Sequence, residues 1–311
     1  MSSLEFSTRP LRIGTRGSKL AMWQCDFVRT SLERLGHVVE VVVIKTEGDR
    51  DQTSSLANIG APGVFTRGIQ QALLDERVDL AVHSLKDLPT IHVEGLQISA
   101  VPGREDPRDV LISQSGSALN ELPAGAKIGT GSVRRRAQLL HLRSDLKMLD
   151  IRGNVDSRIR KLFDGDYDAI VLAAAGLKRL ELSGHVSHTF ETSEVFPAVG
   201  QGALGIETRM GDEATIEAVS ALTHPQTLSC VMAERAMLRE LDSGCLAPIG
   251  ARTRLEGSVL HLAGVVLSED GTQRIVEQDT GLADESGELG IAVAEKLKES
   301  GATALLRKAV P

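Results

Sequence analysis

Aromatic residues are almost missing from this chain: Phe, Tyr and Trp make up 3% of it, with one Trp and one Tyr. That scarcity excludes the stacking platforms on which single-stranded nucleic acids are held. A positive balance is missing too, since 35 Lys and Arg face 42 Asp and Glu for a formal net charge of −7. A chain so charged is no general binder of DNA or RNA, and any anion site must be local. Cysteine is limited to Cys25, Cys230 and Cys245. They form neither a disulfide ladder nor a CxxC pair, so a reducing, cytoplasmic compartment is expected. The histidines show no HExxH or comparable spacing, and no metal is expected. No apolar run approaches a membrane span, and the opening MSSLEFSTRP carries no signal pattern, so no membrane partner is expected either.

What is present is an ordinary globular composition, 41% hydrophobic and 25% charged, over 311 residues. That length suffices for two or three domains with cores of their own. Residues 11–15 read as a strand, Gly17-Ser18 as a turn and N-cap, and 19–35 as a helix closed by Gly36. Trp23, Phe27, Val28, Leu32 and Leu35 recur at helical spacing and are expected in the core. The continuous run VVEVVVI within 38–45 predicts a strand buried on both faces. A polar, glycine-bearing loop, 46–63, follows; loops of that length are commonly lids or binding loops. A helix over 66–76 leads into a strand at 79–82. The order then repeats: strand 127–130, Gly131-Ser132, helix 133–142, strand 148–151, helix 156–163, strand 168–173. Ile13-Gly14-Thr15 answers Ile128-Gly129-Thr130, and Asp79-Leu-Ala-Val answers Asp168-Ala-Ile-Val. The expectation is α/β, with two similar domains around a cleft and a smaller C-terminal α+β domain. Domain 1 would span 10–102 plus 203–222, domain 2 103–202, and domain 3 223–311. PGREDP and PAVGQGALG would be the two crossings, with a strand at 204–208 rejoining the first sheet. Domain 3 would hold a helix after Pro225, three antiparallel strands turning at Asp270-Gly271, and a helix over 285–300.

Chemistry concentrates in VDLAVHSLKDLPT, residues 78–90. His83, Ser84, Lys86 and Asp87 crowd the carboxyl end of a strand, and ligands bind just beyond such ends in open α/β sheets. Lys86 beside Asp87 offers a cation next to a proton donor; a solvated loop with one surface ion pair is the alternative. At the repeated turn, Arg134, Arg135 and Arg136 follow Ser132 directly. Cations in a first helical turn cost roughly 0.3–1 kcal/mol each, so their presence points to an anionic ligand. Neither GxxxxGK[ST] nor GxGxxG occurs. Arg16, Arg152, Arg158 and Arg179 also fall near predicted strand ends, and arginine forks match carboxylates. Cys245, in DSGCLAPIG, has no histidine near it in sequence, and by residue type alone a small buried hydrophobe is the better reading.

Together RIGTRGSKLAMWQ, AVHSLKDLPT, GREDPRD, GTGSVRR, IRGNVDSRI, DAIVLAAAGLKRL, PAVGQGALGIE and AERAML…GCLAPIGA closely resemble the porphobilinogen deaminase (hydroxymethylbilane synthase) family of tetrapyrrole biosynthesis, from about Arg12 onward. The resemblance implies two domains of the type II periplasmic-binding-protein kind and a third carrying a cysteine loop. It implies a transferase that joins four porphobilinogen molecules, with loss of ammonia, on a dipyrromethane cofactor attached through Cys245. By motif, Asp87 would be catalytic. Ser84, Lys86, Asp87, Thr130, Ser132, Arg134, Arg135 and Arg158 would hold the cofactor, and Arg16, Ser18, Arg152 and Arg179 the substrate carboxylates. The implied enzyme works in the cytoplasm, with porphobilinogen as its small-molecule partner, and nothing demands more than a monomer. Two departures stand out: Asn58 and Pro62 where the family's loop often carries lysines, and GTGS for GTSS, with Gly131 lacking a hydroxyl. The rival is a non-catalytic carboxylate-binding protein on the same fold, which would need the arginines but not Asp87 or a modified Cys245.

Overall fold

The computed structural model describes residues 9–45, 66–91, 93–242 and 247–307. The loop 46–63 and Cys245 therefore lie outside the described residues. Elements run β1 (Leu11–Thr15), α1 (Lys19–Arg34), β2 (Val39–Val43), α2 (Arg67–Leu74), β3 (Leu80–Ser84) and β4 (Leu96–Ala100). Next come β5 (Asp109–Ser113), β6 (Lys127–Gly129), α3 (Val133–Leu142), β7 (Lys147–Leu149), α4 (Val155–Phe163), β8 (Ala169–Ala173), α5 (Ala174–Arg179) and β9 (His188–Thr189). The chain closes with β10 (Leu204–Arg209), α6 (Glu213–Ser220), α7 (Pro225–Glu240), β11 (Ile249–Glu256), β12 (Val259–Leu267), β13 (Arg274–Leu282), α8 (Ser286–Glu299) and α9 (Ala302–Arg307). Two compact units result, Met1–Gly103 with Ala203–Pro225, and Arg104–Gly202 with Gln226–Pro311.

The fold is α/β, and the sequence echo is a structural repeat. One sheet is ordered β2-β1-β3-β10-β4 and the other β7-β6-β8-β5-β9. In each, three parallel strands are followed by one antiparallel strand that a crossing segment delivers. The register repeats as well: Ile13 pairs with Leu80 and Gly14 with Ala81, as Ile128 pairs with Ala169 and Gly129 with Ile170. Both sheets share one entry lock. The Asp79 carboxylate accepts the backbone N–H of Arg12 at 2.9 Å, and the Asp168 carboxylate that of Lys127 at 2.7 Å. The expected strand at 204–208 does join the first sheet, antiparallel to β3.

Two expectations about burial fail for physical reasons. On α1, Gln24, Cys25, Val28 and Leu32 face the core, whereas Trp23, Phe27 and Leu35 are exposed. Trp23 and Phe27, one turn apart, stack on each other at 5.8 Å instead. β2 is an edge strand rather than a doubly covered one, and its Val43 is exposed.

The smaller C-terminal sheet, β11-β12-β13, is antiparallel and lies in the second unit. One face packs on Met237 of α7 and on Leu289, Val293 and Leu297 of α8. The other, through Ala263, Val265 and Leu267, receives Phe196 and Ala137. Within the same unit the two crossings run side by side, Glu105 N–H donating to Gly202 O at 3.2 Å. Gly202 has φ +86, and a Cβ there would strike the Glu105 carbonyl, so only glycine fits. Arg104 clamps the fully buried Glu234 of α7 with both Nη atoms, at 2.6 and 3.1 Å.

Candidate active site

In the first unit the chain leaves β3 through a single 3₁₀ turn, Leu85–Asp87, held by Leu85 N–H donating to Ala203 O at 3.0 Å. Ser84 and Lys86 are half-buried, while Asp87 is exposed. Ser84 Oγ accepts from Gln24 Nε2 at 2.8 Å. At the end of β1, Arg16 is half-buried, and Ser18 caps α1 by accepting the Ala21 N–H at 3.3 Å. These five predicted residues thus share the carboxyl rim of one sheet.

The second unit repeats that placement with a heavier charge. Thr130 is buried after β6, and its hydroxyl accepts from Ser132 N–H at 3.2 Å. Ser132 caps α3 by accepting the Arg135 N–H at 3.4 Å. Arg152 stands beyond β7, its Nε donating to Asp150 at 3.3 Å. A Cβ on Gly131 would sit 3.0 Å from the Asp150 carboxylate and 4.0 Å from Arg152 Nε. Arg152 therefore lies against the α3 turn, and this site has little room for a larger residue at 131. Arg158, in the first half of α4, donates Nε to Gly153 O at 2.8 Å. Arg179 ends α5, is buried, and donates to Gly202 O at 2.7 Å; burial lowers its pKa from the usual arginine range.

Arg134 and Arg135 are not solvated helix-start cations. Both are buried on Asp109, which is wholly inaccessible: Arg134 Nη1 meets Oδ2 at 2.7 Å, and Arg135 Nε and Nη2 meet Oδ1 at 3.0 and 2.7 Å. Gln201 Nε2 adds a bond to Asp109 Oδ1 at 2.9 Å, and the carbonyls of Phe196 and Val171 take further guanidinium protons. Desolvation alone would raise the Asp109 pKa, but the two arginines outweigh it and hold the carboxyl far below its ordinary range. Two guanidiniums against one carboxylate leave one positive charge in excess, at a helix N-terminus that adds more. Sequence alone assigns roles to the arginines and none to Asp109 or Gln201, although both stand in family-like motifs, GREDPRD and PAVGQGALG. The available signal was the need for a buried acid to accompany adjacent arginines.

Several cap hydroxyls in these rims share one arrangement. Ser18, Ser84 and Ser132 each accept a proton from the protein, which leaves their own O–H to donate outward. Donor hydroxyls, helix N-termini and guanidinium groups are the groups to which carboxylates bind, and these rims gather them. The class is an α/β protein with two similar sheets whose carboxyl rims gather anion-binding groups.

Comparison with known proteins narrows that class. A family model described as "Porphobilinogen deaminase, dipyromethane cofactor binding domain" matches residues 11–217, and one described as "Porphobilinogen deaminase, C-terminal domain" matches 228–299. Porphobilinogen deaminase of Geobacter metallireducens is 47% identical over 300 residues, 96% of this chain and 94% of the relative. That of Pelobacter propionicus is 44% identical over 302 residues, 96% and 97% of the two chains. Among solved structures, a periplasmic substrate-binding protein of Coxiella burnetii is similar at a TM-score of 0.42 and 19% identity, covering 70% of this chain and 94% of that one. The chain belongs to the porphobilinogen deaminase family.

Proposed function

We propose that this chain is the transferase that joins four porphobilinogen molecules head to tail, with release of ammonia, to give the linear tetrapyrrole hydroxymethylbilane of porphyrin and heme biosynthesis. Its cofactor is dipyrromethane, carried covalently by Cys245, and the chain acts as a monomer in the cytoplasm. It is built as domain 1 (10–102 plus 203–222), domain 2 (103–202) and domain 3 (223–311). The observation that carries this reading is the Asp109–Arg134–Arg135 cluster with its unspent positive charge at the start of α3. A pyrrole bearing two carboxylates supplies the missing anion, and the donor set fits it. When bound, the dipyrromethane supplies the pyrrole position to which incoming rings are added.

Thr130, Ser132, Arg134, Arg135 and Arg158, with Ser84 and Lys86, hold the cofactor carboxylates. Arg16, Ser18, Arg152 and Arg179 hold acetate and propionate groups of incoming substrate. Asp87, exposed at the tip of its turn, handles protons as ammonia departs and stabilises positive charge developing on the incoming ring. Intact mass of the purified protein, with peptide mapping across Cys245, tests the whole. Excess mass of two linked pyrroles on that peptide is expected, either as purified or after incubation with porphobilinogen. A Cys245 peptide that stays unmodified after incubation overturns the proposal in favour of a non-catalytic carboxylate-binding protein on this fold.

A further inference from the structure

A buried polar chain lies behind the turn that bears Asp87, and none of the roles above uses it. Ala81 and His83 of β3 share one sheet face with Gly205 and Glu207 of β10; Gly205 pairs with His83 and Glu207 with Ala81. Glu207 is thus the diagonal neighbour of His83, within reach of its long side chain. Its Oε2 stands 3.3 Å from His83 Nε2, and both side chains are 3% exposed. That approach lacks hydrogen-bond geometry, so both buried atoms stand without a hydrogen-bonding partner. Glu207 Oε1 accepts from Gln70 Nε2 of α2 at 3.0 Å. A carboxylate this buried, with one neutral amide on its other oxygen, is costly unless a proton-bearing group faces it. His83 is that group. The same face holds the catalytic turn: a Cβ on Gly205 would lie 2.8 Å from Leu85 Cδ1 and 3.1 Å from Leu88 Cδ1. The two leucines that flank Lys86 and Asp87 therefore rest on the glycine opposite His83.

We propose that Glu207 is a positioning residue: oriented by Gln70, it is the buried carboxylate that faces Nε2 of His83, and the two together fix the strand end from which Ser84, Lys86 and Asp87 project. This rests on the reading of Asp87 as catalytic, so the experiment begins with wild type and Asp87→Ala. Porphobilinogen turnover in the first and its loss in the second establish that reading independently. Glu207→Gln then presents two amide groups to each other, and either Gln70 or His83 comes to face a donor. The expected result is a kcat about tenfold or more lower, with KM within about twofold and Tm unchanged. The exchange Glu207→Gln with Gln70→Glu restores the relay with its polarity reversed: Glu at 70 accepts the amide N–H of Gln at 207, whose carbonyl faces Nε2. It is expected to recover kcat to within about threefold. Long-range 1H–15N correlation of the His83 ring should show Nε2 protonated in the wild type and in the exchange variant. A Glu207→Gln kcat near wild type, a loss that only tracks a fall in Tm, a loss the exchange does not recover, or a bare Nε2 in the wild type overturns the proposal.

Discussion

The two five-stranded sheets share strand order, register and entry lock, yet their carboxyl rims carry opposite equipment. After β1 and β3 the first unit presents one half-buried arginine, Arg16, and an exposed acid, Asp87, on a single 3₁₀ turn. After β6 and β8 the second presents Arg134 and Arg135 sunk onto Asp109, and continues into α5 with buried Arg179. The frame is thus indifferent to charge, while the rims differ in it. A group that exchanges protons with a substrate must stay accessible, whereas cations that only hold an anion gain from being fixed in a low-dielectric setting. The repeated topology supplies the two rims, and different residues at the strand ends give them different chemistry.

The largest effect expected from breaking that contrast is on turnover. Asp87→Ala removes the accessible acid and is expected to lower kcat by about 10²–10⁴-fold while the far-ultraviolet circular dichroism stays that of the wild type. Near-normal steady-state rates with porphobilinogen would take Asp87 out of its role. Asp109→Ala attacks the other rim. Two buried guanidiniums lose their carboxylate, and denaturant unfolding should show a loss of about 3–5 kcal/mol. Arg16→Ala in the first rim should change stability by no more than about 0.5 kcal/mol.

The same acid predicts a pH dependence. Its folded pKa lies below that of the unfolded chain, so its contribution is complete above the ordinary aspartate range and is lost as pH falls toward the folded value. Unfolding midpoints measured between about pH 5 and 3 should fall less steeply in Asp109→Asn than in the wild type. The shared entry lock gives a smaller asymmetry. Asp79 also binds Arg12 through Nε and Nη2, at 3.0 and 2.7 Å, whereas the Asp168 carboxylate has the Lys127 N–H alone among the described residues. Asp79→Ala should cost about 2–3 kcal/mol and Asp168→Ala about 1 kcal/mol in the same assay. The equivalent glycines come last. A Cβ on Gly129 would lie 2.8 Å from the Tyr167 ring, and one on Gly14 no nearer than 3.1 Å to Val78. Gly129→Ala is expected to lose about 1–3 kcal/mol, and Gly14→Ala less.

Much of this was legible in the chain. Periodicity and turn residues located β1, α1, α3, α4, β8 and the closing hairpin, because each is a local pattern with a local stop signal. The strands β4, β5 and β9 carry no clear local signal: β4 is a five-residue alternating run, β9 spans two residues, and β5 is an apolar run whose pairing is set from outside it. Trp23, Phe27 and the valines of β2 were assigned to the core because hydrophobicity marks the faces an element has, not the one its neighbours cover.

The rims divide in the same way. Sequence by itself determined which residues are available at the strand ends, the surplus of arginine after Ser132, and the position of Asp87 beside Lys86, since these follow from order along the chain. Only the tertiary structure decided that Arg134 and Arg135 share Asp109, that Gln201 braces it, and that Glu207 reaches His83. Those partners come from residues far apart in sequence, and they are selected by the need to place buried charges opposite groups that can offset them.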